Sequence, residues 1–336
     1  MNEQSIEFVE SFFNDSAIKI PEKFYRVKKG GSRYYVDSEF NLKIGITSFL
    51  SKILPENYYL QLWKKEVGEK NAAQILKDRA NYGTMFHILT ANVLRSYITT
   101  KAYKIPLLLH QIDEELQSFG FEAKGYELTE LQSDLASFAQ FCEAYKPEPI
   151  LLETPLASKD MPLAATLDFF GTIEIEVSGF FGEVYKSGVN KGEPKKSKQI
   201  ERVHAVIDFK TMIKKESNYE SNKAIGVSNK FQLNYQRLFL VDTYPEFADK
   251  NILMFNAIPK NWISNPSMQL TEINLIPDSA LYGLYDASIY IDPYIVEKTA
   301  DSNVVEFVNY NGNISESVKQ ITFKEYCKNL IKSHYE

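Results

Sequence analysis

His204-Ala-Val-Ile-Asp-Phe-Lys-Thr211 is an apolar strand interrupted by two charges, and the rest of the chain is read outward from it. Side chains on a strand alternate between faces, so Asp208 and Lys210 point one way while Ile207 and Phe209 point the other. Unpaired charge is costly to bury, so these two should be paired or bound to a cation. Asp208 offers the hard oxygen donor that Mg²⁺ or Mn²⁺ prefers. Lys210, one pleat further on, can orient an attacking water or stabilise charge developing on a phosphate.

Upstream, Leu163-Ala-Ala-Thr-Leu-Asp-Phe-Phe-Gly171 is a second apolar strand carrying a single acid, Asp168. If the two strands pair antiparallel, both carboxylates can meet over one sheet face and hold a divalent cation. Such an ion acts as a Lewis acid and water activator in phosphodiester cleavage. Between them, residues 183–200 contain Lys186, Lys191, Lys195, Lys196 and Lys198 with Gly and Pro, which predicts a basic loop or hairpin tip. Lys195, Lys196 and Lys198 are its candidates for salt-sensitive phosphate contact.

Further out, Pro149–Pro155 and Ile252–Ile258 read as strands, and Met268–Ile276 as a partner of the latter. Tyr82, Phe86, Leu89 and Val93 recur at helical spacing inside a long helix over 72–97, with Gly83, His87 and Ala91 on a common face. Helices are also predicted after Pro55, twice within 105–145, over 229–241 and over 321–333. A short amphipathic helix (Ile6, Val9, Phe13) is expected before a strand at Arg33–Asp37, and Thr47 or Ser48 can cap a helix near Phe49. The fold class is α/β: a central mixed sheet of about four or five strands flanked by helices, with an N-terminal helical part. The expected divisions are a helical extension at 1–32, a main domain at 33–300 with a basic insertion at about 180–202, and a helical tail at 301–336.

The bulk composition is globular, with 44% hydrophobic and 24% charged residues, so wholesale disorder is excluded. A net charge of −6 argues against a protein that coats nucleic acid by bulk charge, but not against locally placed lysines. Two cysteines, Cys142 and Cys327, cannot alone build a four-thiolate zinc or iron–sulfur site. No signal-like N-terminus and no apolar run of ~18–20 residues is present, so a cytoplasmic protein without a membrane span is expected. P-loop, Gly-x-Ser-x-Gly and His-Glu-x-x-His patterns are absent from the sequence.

Taken in order, Gly83-Thr-Met-Phe-His87, Glu153, Asp168, Asp208-Phe-Lys210-Thr211 and Phe231-Gln-Leu-Asn-Tyr235 resemble the motifs of the PD-(D/E)xK nucleases, within their RecB-like and phage-exonuclease-like branch. The resemblance spans roughly residues 33–262 and implies a restriction-endonuclease-like core. It implies that His87, Asp168, Asp208 and the Phe209 carbonyl hold Mg²⁺ or Mn²⁺, with Glu153 assisting. Lys210, Asp208 and Asp168 would be catalytic, Gln232 would touch the DNA or steady Lys210, and Tyr235, Gln236 and Thr211 would lie on the DNA side. The chain departs from the pattern in three places, one being the basic 183–200 segment, which would be an insertion. Asp208 follows Asp168 by 40 residues (208 − 168), and position 236 holds Gln, with Tyr one residue earlier. The implied activity is DNA cleavage, first as an exonuclease on duplex ends in recombination, repair or phage DNA processing. A structure-specific endonuclease and an inactive DNA-binding or assembly protein are the alternatives. DNA is the implied partner, a recombination protein and self-association being compatible with it.

Overall fold

Alternation along Ala205–Phe209 sorts the core into two layers. Val206 packs with Leu163, Leu167, Tyr235, Phe239 and Met254 in one. Ala205, Ile207 and Phe209 pack with Phe86, Leu89, Phe138 and Phe141 in the other. One strand therefore feeds both faces of a buried sheet, and helices must cover both.

The computed structural model describes residues 8–9, 25–29, 32–37, 41–211, 226–262, 265–291, 303–308 and 317–322. Its strands are β1 (Phe8–Val9), β2 (Tyr25–Lys29), β3 (Ser32–Val36), β4 (Leu42–Gly45), β5 (Glu148–Ala157), β6 (Leu163–Val184), β7 (Pro194–Phe209), β8 (Ile252–Trp262) and β9 (Asn265–Glu272). Together they form one sheet in the order β1-β2-β3-β4-β6-β7-β8-β9, with β5 also paired to β6. The β4–β6 and β7–β8 pairings are parallel and the others antiparallel, so the sheet is mixed. The helices are α1 (Ile46–Ile53), α2 (Tyr58–Val67), α3 (Glu69–Thr100), α4 (Leu109–Ser118), α5 (Gly125–Tyr145), α6 (Val227–Thr243) and α7 (Asp278–Ile291). Residues of α1, α6 and α7 fill the first layer, and residues of α3, α4 and α5 the second.

The α/β class and the antiparallel pairing of the Asp168 and Asp208 strands are as the sequence implies. Phe169 pairs with Ile207, directly beside the two acids. Gly171 is dictated by a close approach: a Cβ there would lie 2.1 Å from the Glu148 carbonyl oxygen, where β5 crosses β6 at a register shift.

Several expectations are corrected. The sheet has nine strands rather than four or five, because β1–β4 extend it. Within 1–32 the described segments are strands, not helix, and β2 is hairpinned to β3, so a boundary at 32 cuts a hairpin. Ile6 and Phe13 lie outside the described residues. Residues 303–308 and 317–322 form a two-stranded antiparallel sheet, β10 and β11, instead of starting a helical tail. The helix expected at 321–333 otherwise falls outside the described residues, as does Cys327. Of the two readings of the basic segment, the hairpin tip is the one found: residues 185–193 turn between β6 and β7, while Lys195, Lys196 and Lys198 sit on β7, paired to β6 in a ribbon. At α1, Gly45 occupies the cap with no side-chain hydrogen bond. The Ser48 hydroxyl instead accepts the Arg33 N–H at 2.9 Å, tying the helix to β3.

Candidate metal centre

Helix α3 buries Tyr82, Phe86, Leu89 and Val93, which fixes its roll against the sheet. The neighbouring facet carries Gly83 and His87 toward the end of the β6–β7 pair. A Cβ on Gly83 would stand 3.5 Å from the Thr211 hydroxyl, so the helix runs close beside the Asp-Phe-Lys-Thr segment. His87 Nδ1 lies 3.3 Å from Glu153 Oε1 and 3.5 Å from Asp168 Oδ2. One donor atom from each of these three residues falls within 4.8 Å of the others, the spacing of a candidate cation site.

The carboxylates reach this position through a local break in the strands. Leu167 packs in the α1/α6 layer and Phe169 in the α3/α5 layer, although residues two apart on a regular strand share a face. On β5, opposite this point, Glu153 adopts a left-handed backbone with φ 44°. The ladder pairs Leu152 with Phe169 and Thr154 with Leu167 in one register, and Glu153 and Asp168 lie between these pairs. A non-glycine residue in that region costs of order 1 kcal/mol or more, strain of the kind that concentrates at functional sites.

Asp168 Oδ2 accepts the Phe209 N–H at 3.0 Å, which joins the trio to β7. Asp208, only 2% exposed, lies beside it with different partners. Lys210 Nζ stands 2.9 Å from Asp208 Oδ2, and Gln232 Nε2 donates to Oδ1 at 2.9 Å. Lys210 also donates to Gln232 Oε1 at 3.5 Å. Thus α3 holds one half of the site and α6 the other.

The electrostatics follow from this crowding. Burial raises the Asp168 carboxyl above its ordinary range; His87 opposes the rise and Glu153 adds to it. Burial pushes Asp208 up to about 6, against Lys210 and with help from Asp168. Burial alone would lower His87, but Asp168, the hydrogen bond to Glu153 and the Glu153 and Asp208 charges outweigh it, raising His87 to about 9. Lys210 is likewise lowered by burial and raised further by Asp208 and Asp168. His87 and Lys210 are thus both shifted toward their protonated forms by the neighbouring carboxylates.

The structure brings together part of the residue set expected from sequence. His87, Glu153 and Asp168 converge, while Asp208 stands outside the trio, engaged by Lys210 and Gln232. The two core acids therefore turn toward different helices instead of meeting over one face. Phe209 contributes its peptide N–H to Asp168. Gln232 steadies Asp208 and Lys210. Tyr235 and Gln236 are buried, donating to the carbonyls of Leu281 and Thr166, so they brace α6 rather than present a surface to DNA. The sequence reading missed Asn256, which lies on β8 in register with Asp208. A lone carboxamide in the apolar run Ile252–Ile258 is the same signal that marked Asp208, without the charge that drew notice. No helix among the described residues is long and apolar enough to cross a membrane. No protein-family model matches the chain, and no curated protein matches it either.

Proposed function

We propose that the chain is a metal-dependent DNA nuclease on a restriction-endonuclease-like core, acting on duplex ends as an exonuclease. The observation that carries this reading is the junction of two groups at one end of β6–β7. An imidazole with two carboxylates (His87, Glu153, Asp168) adjoins a buried acid–amine pair (Asp208, Lys210) braced by an amide. The donor set fits the cation: carboxylate oxygens and one imidazole suit Mn²⁺ and are accepted by Mg²⁺. His87, Glu153 and Asp168 would hold the ion, with Asp208 alongside. Bound there, it would supply Lewis acidity toward a phosphodiester oxygen and lower the pKa of a water.

The chain's own residues divide the remaining work. The Phe209 N–H fixes Asp168, and Gln232 fixes Asp208. Lys210, partly exposed, would turn from Asp208 to stabilise charge on the scissile phosphate. The β6–β7 ribbon carries Lys195, Lys196 and Lys198, and phosphate contacts there would position the duplex without reading its sequence.

The test is cleavage of end-labelled linear duplex, closed circular duplex, single-stranded DNA and RNA with Mg²⁺ and Mn²⁺. Metal-dependent loss of linear duplex, abolished by Lys210→Ala and by Asp208→Asn in folded protein, is expected. Cutting of the closed circle would instead make it an endonuclease. Binding without cutting under every condition would leave a DNA-binding protein on a nuclease-like scaffold.

A further inference from the structure

Asn256 is 0% exposed, and neither its Nδ2 nor its Oδ1 has a hydrogen-bond partner. Buried carboxamides are nearly always satisfied, so this exception needs a reason. Its position supplies one. β7 and β8 run parallel with Asp208 directly beside Asn256, and in-register neighbours on adjacent strands share a face. The layers agree: Val206 and Met254, two residues before each, pack together, while Phe255 and Ala257 face the opposite layer. Asn256 therefore stands next to Asp208 on the α6 side.

Asp208 Oδ2 has a matching need. Lys210 Nζ neutralises it at 2.9 Å, yet the oxygen has no well-aligned hydrogen bond. Its other oxygen is taken by Gln232. If Lys210 swings away to a phosphate, Oδ2 becomes a buried anionic oxygen with no donor, a costly state. The unspent donor in register beside it is Asn256 Nδ2.

We propose that Asn256 is a positioning residue, an amide held in reserve that takes over Asp208 Oδ2 when Lys210 leaves it. Asn256 thereby keeps Asp208 oriented while Lys210 engages substrate. The exchange moves no proton and changes no covalent bond. It rests on the nuclease reading for its catalytic meaning, but the exchange itself is a property of the fold.

The experiment is a double-mutant cycle read by thermal unfolding of metal-free protein. Asn256→Val removes two unpartnered polar atoms, so with Lys210 present the midpoint should hold or rise. In a Lys210→Met background the amide is already Asp208's donor, and Asn256→Val should lower the midpoint by several degrees. Asn256→Thr, isosteric with valine but bearing a donor, should recover part of that loss. An equal effect of Asn256→Val in both backgrounds overturns the proposal. In the cleavage assay, Asn256→Val should lower kcat about tenfold or more with KM little changed, and Asn256→Thr should lie between. Wild-type kcat in Asn256→Val overturns the catalytic role. If the wild-type protein cuts nothing, the nuclease reading fails while the cycle still decides the exchange.

Discussion

The base and the far end of the β6–β7 hairpin are built from the same two strands and carry the same kinds of charge. At the base, Asp168 and Asp208 are closed off between α3 and α6, and each charge there shifts its neighbours. Along the ribbon, Phe180, Val189 and Ile200 are exposed. There, Lys198 meets Glu176 at 2.6 Å and Lys195 meets Glu183 at 3.7 Å in open solvent. Ion pairs of similar length thus differ in consequence. Solvated pairs contribute ~0–1 kcal/mol, whereas a buried charge that loses its partner costs several kcal/mol. Proximity does not make a site; withdrawal from water does, because only there must every charge be answered.

The comparison breaks most sharply at Lys210. Lys210→Ala or Asp208→Asn should reduce cleavage by about 10²–10³ or more, while Lys198→Ala leaves kcat near wild type. Equal losses at both ends would erase the distinction. Metal is the next lever. Mn²⁺ should raise the thermal midpoint of the wild-type protein and protect it progressively with concentration, and Asp168→Asn or His87→Ala should abolish that rise. A midpoint that ignores Mn²⁺ would remove the cation site.

Proton linkage gives a third test, confined to the base. His87 is raised from 6.5 to about 9, so its protonated form stabilises the fold. That contribution is fully present below 6.5 and lost as pH rises through about 9. Asp208, raised from 3.8 to about 6, works in the same sense: its stabilisation is present below 3.8 and lost as pH rises through about 6. The metal-free midpoint should therefore fall from about pH 7 to about pH 10 in wild type, and that alkaline fall should flatten in His87→Gln. Glu153→Gly sharpens the contrast between strain and function. It relieves the left-handed backbone but removes the carboxylate facing His87, so the metal-free fold should gain less than the ~1 kcal/mol of relieved strain in denaturant unfolding, while Mn²⁺ binding weakens. The smallest effect belongs to the ribbon. Replacing Lys195, Lys196 and Lys198 together by Ala should change stability little, since each solvated pair contributes less than about 1 kcal/mol. The salt dependence of duplex binding should become shallower by up to about 0.9 for each phosphate that the ribbon no longer neutralises.

The strand alternation that puts Asp208 and Lys210 side by side was legible because it spans three residues and has a period of two. The stripe on α3 was equally plain, and it carried His87 with it. The ribbon was half legible: Gly, Pro and clustered Lys signal a loop or hairpin tip, and the tip is found at 185–193, but that β7 begins at Pro194 and carries Lys195–Lys198 depends on pairing with β6. The N-terminal strands show the same dependence, since a helix-like spacing of Ile6, Val9 and Phe13 could not reveal that Phe8–Val9 would pair with β2. Asn256 was visible as a polar residue in an apolar run but meaningless until β8 lay beside β7.

By itself, then, the sequence determined which side chains could do chemistry and which pairs share a local face, since dihedral periodicity acts over a few residues. Only the tertiary structure decided which of them meet. His87, Glu153 and Asp168 come from a helix and two strands separated by 66 and 15 positions, and the break in alternation at Asp168 turns it from Asp208's helix toward His87. Convergence of that kind is set by packing between layers and by the need to satisfy buried charge, neither of which is written in any single segment.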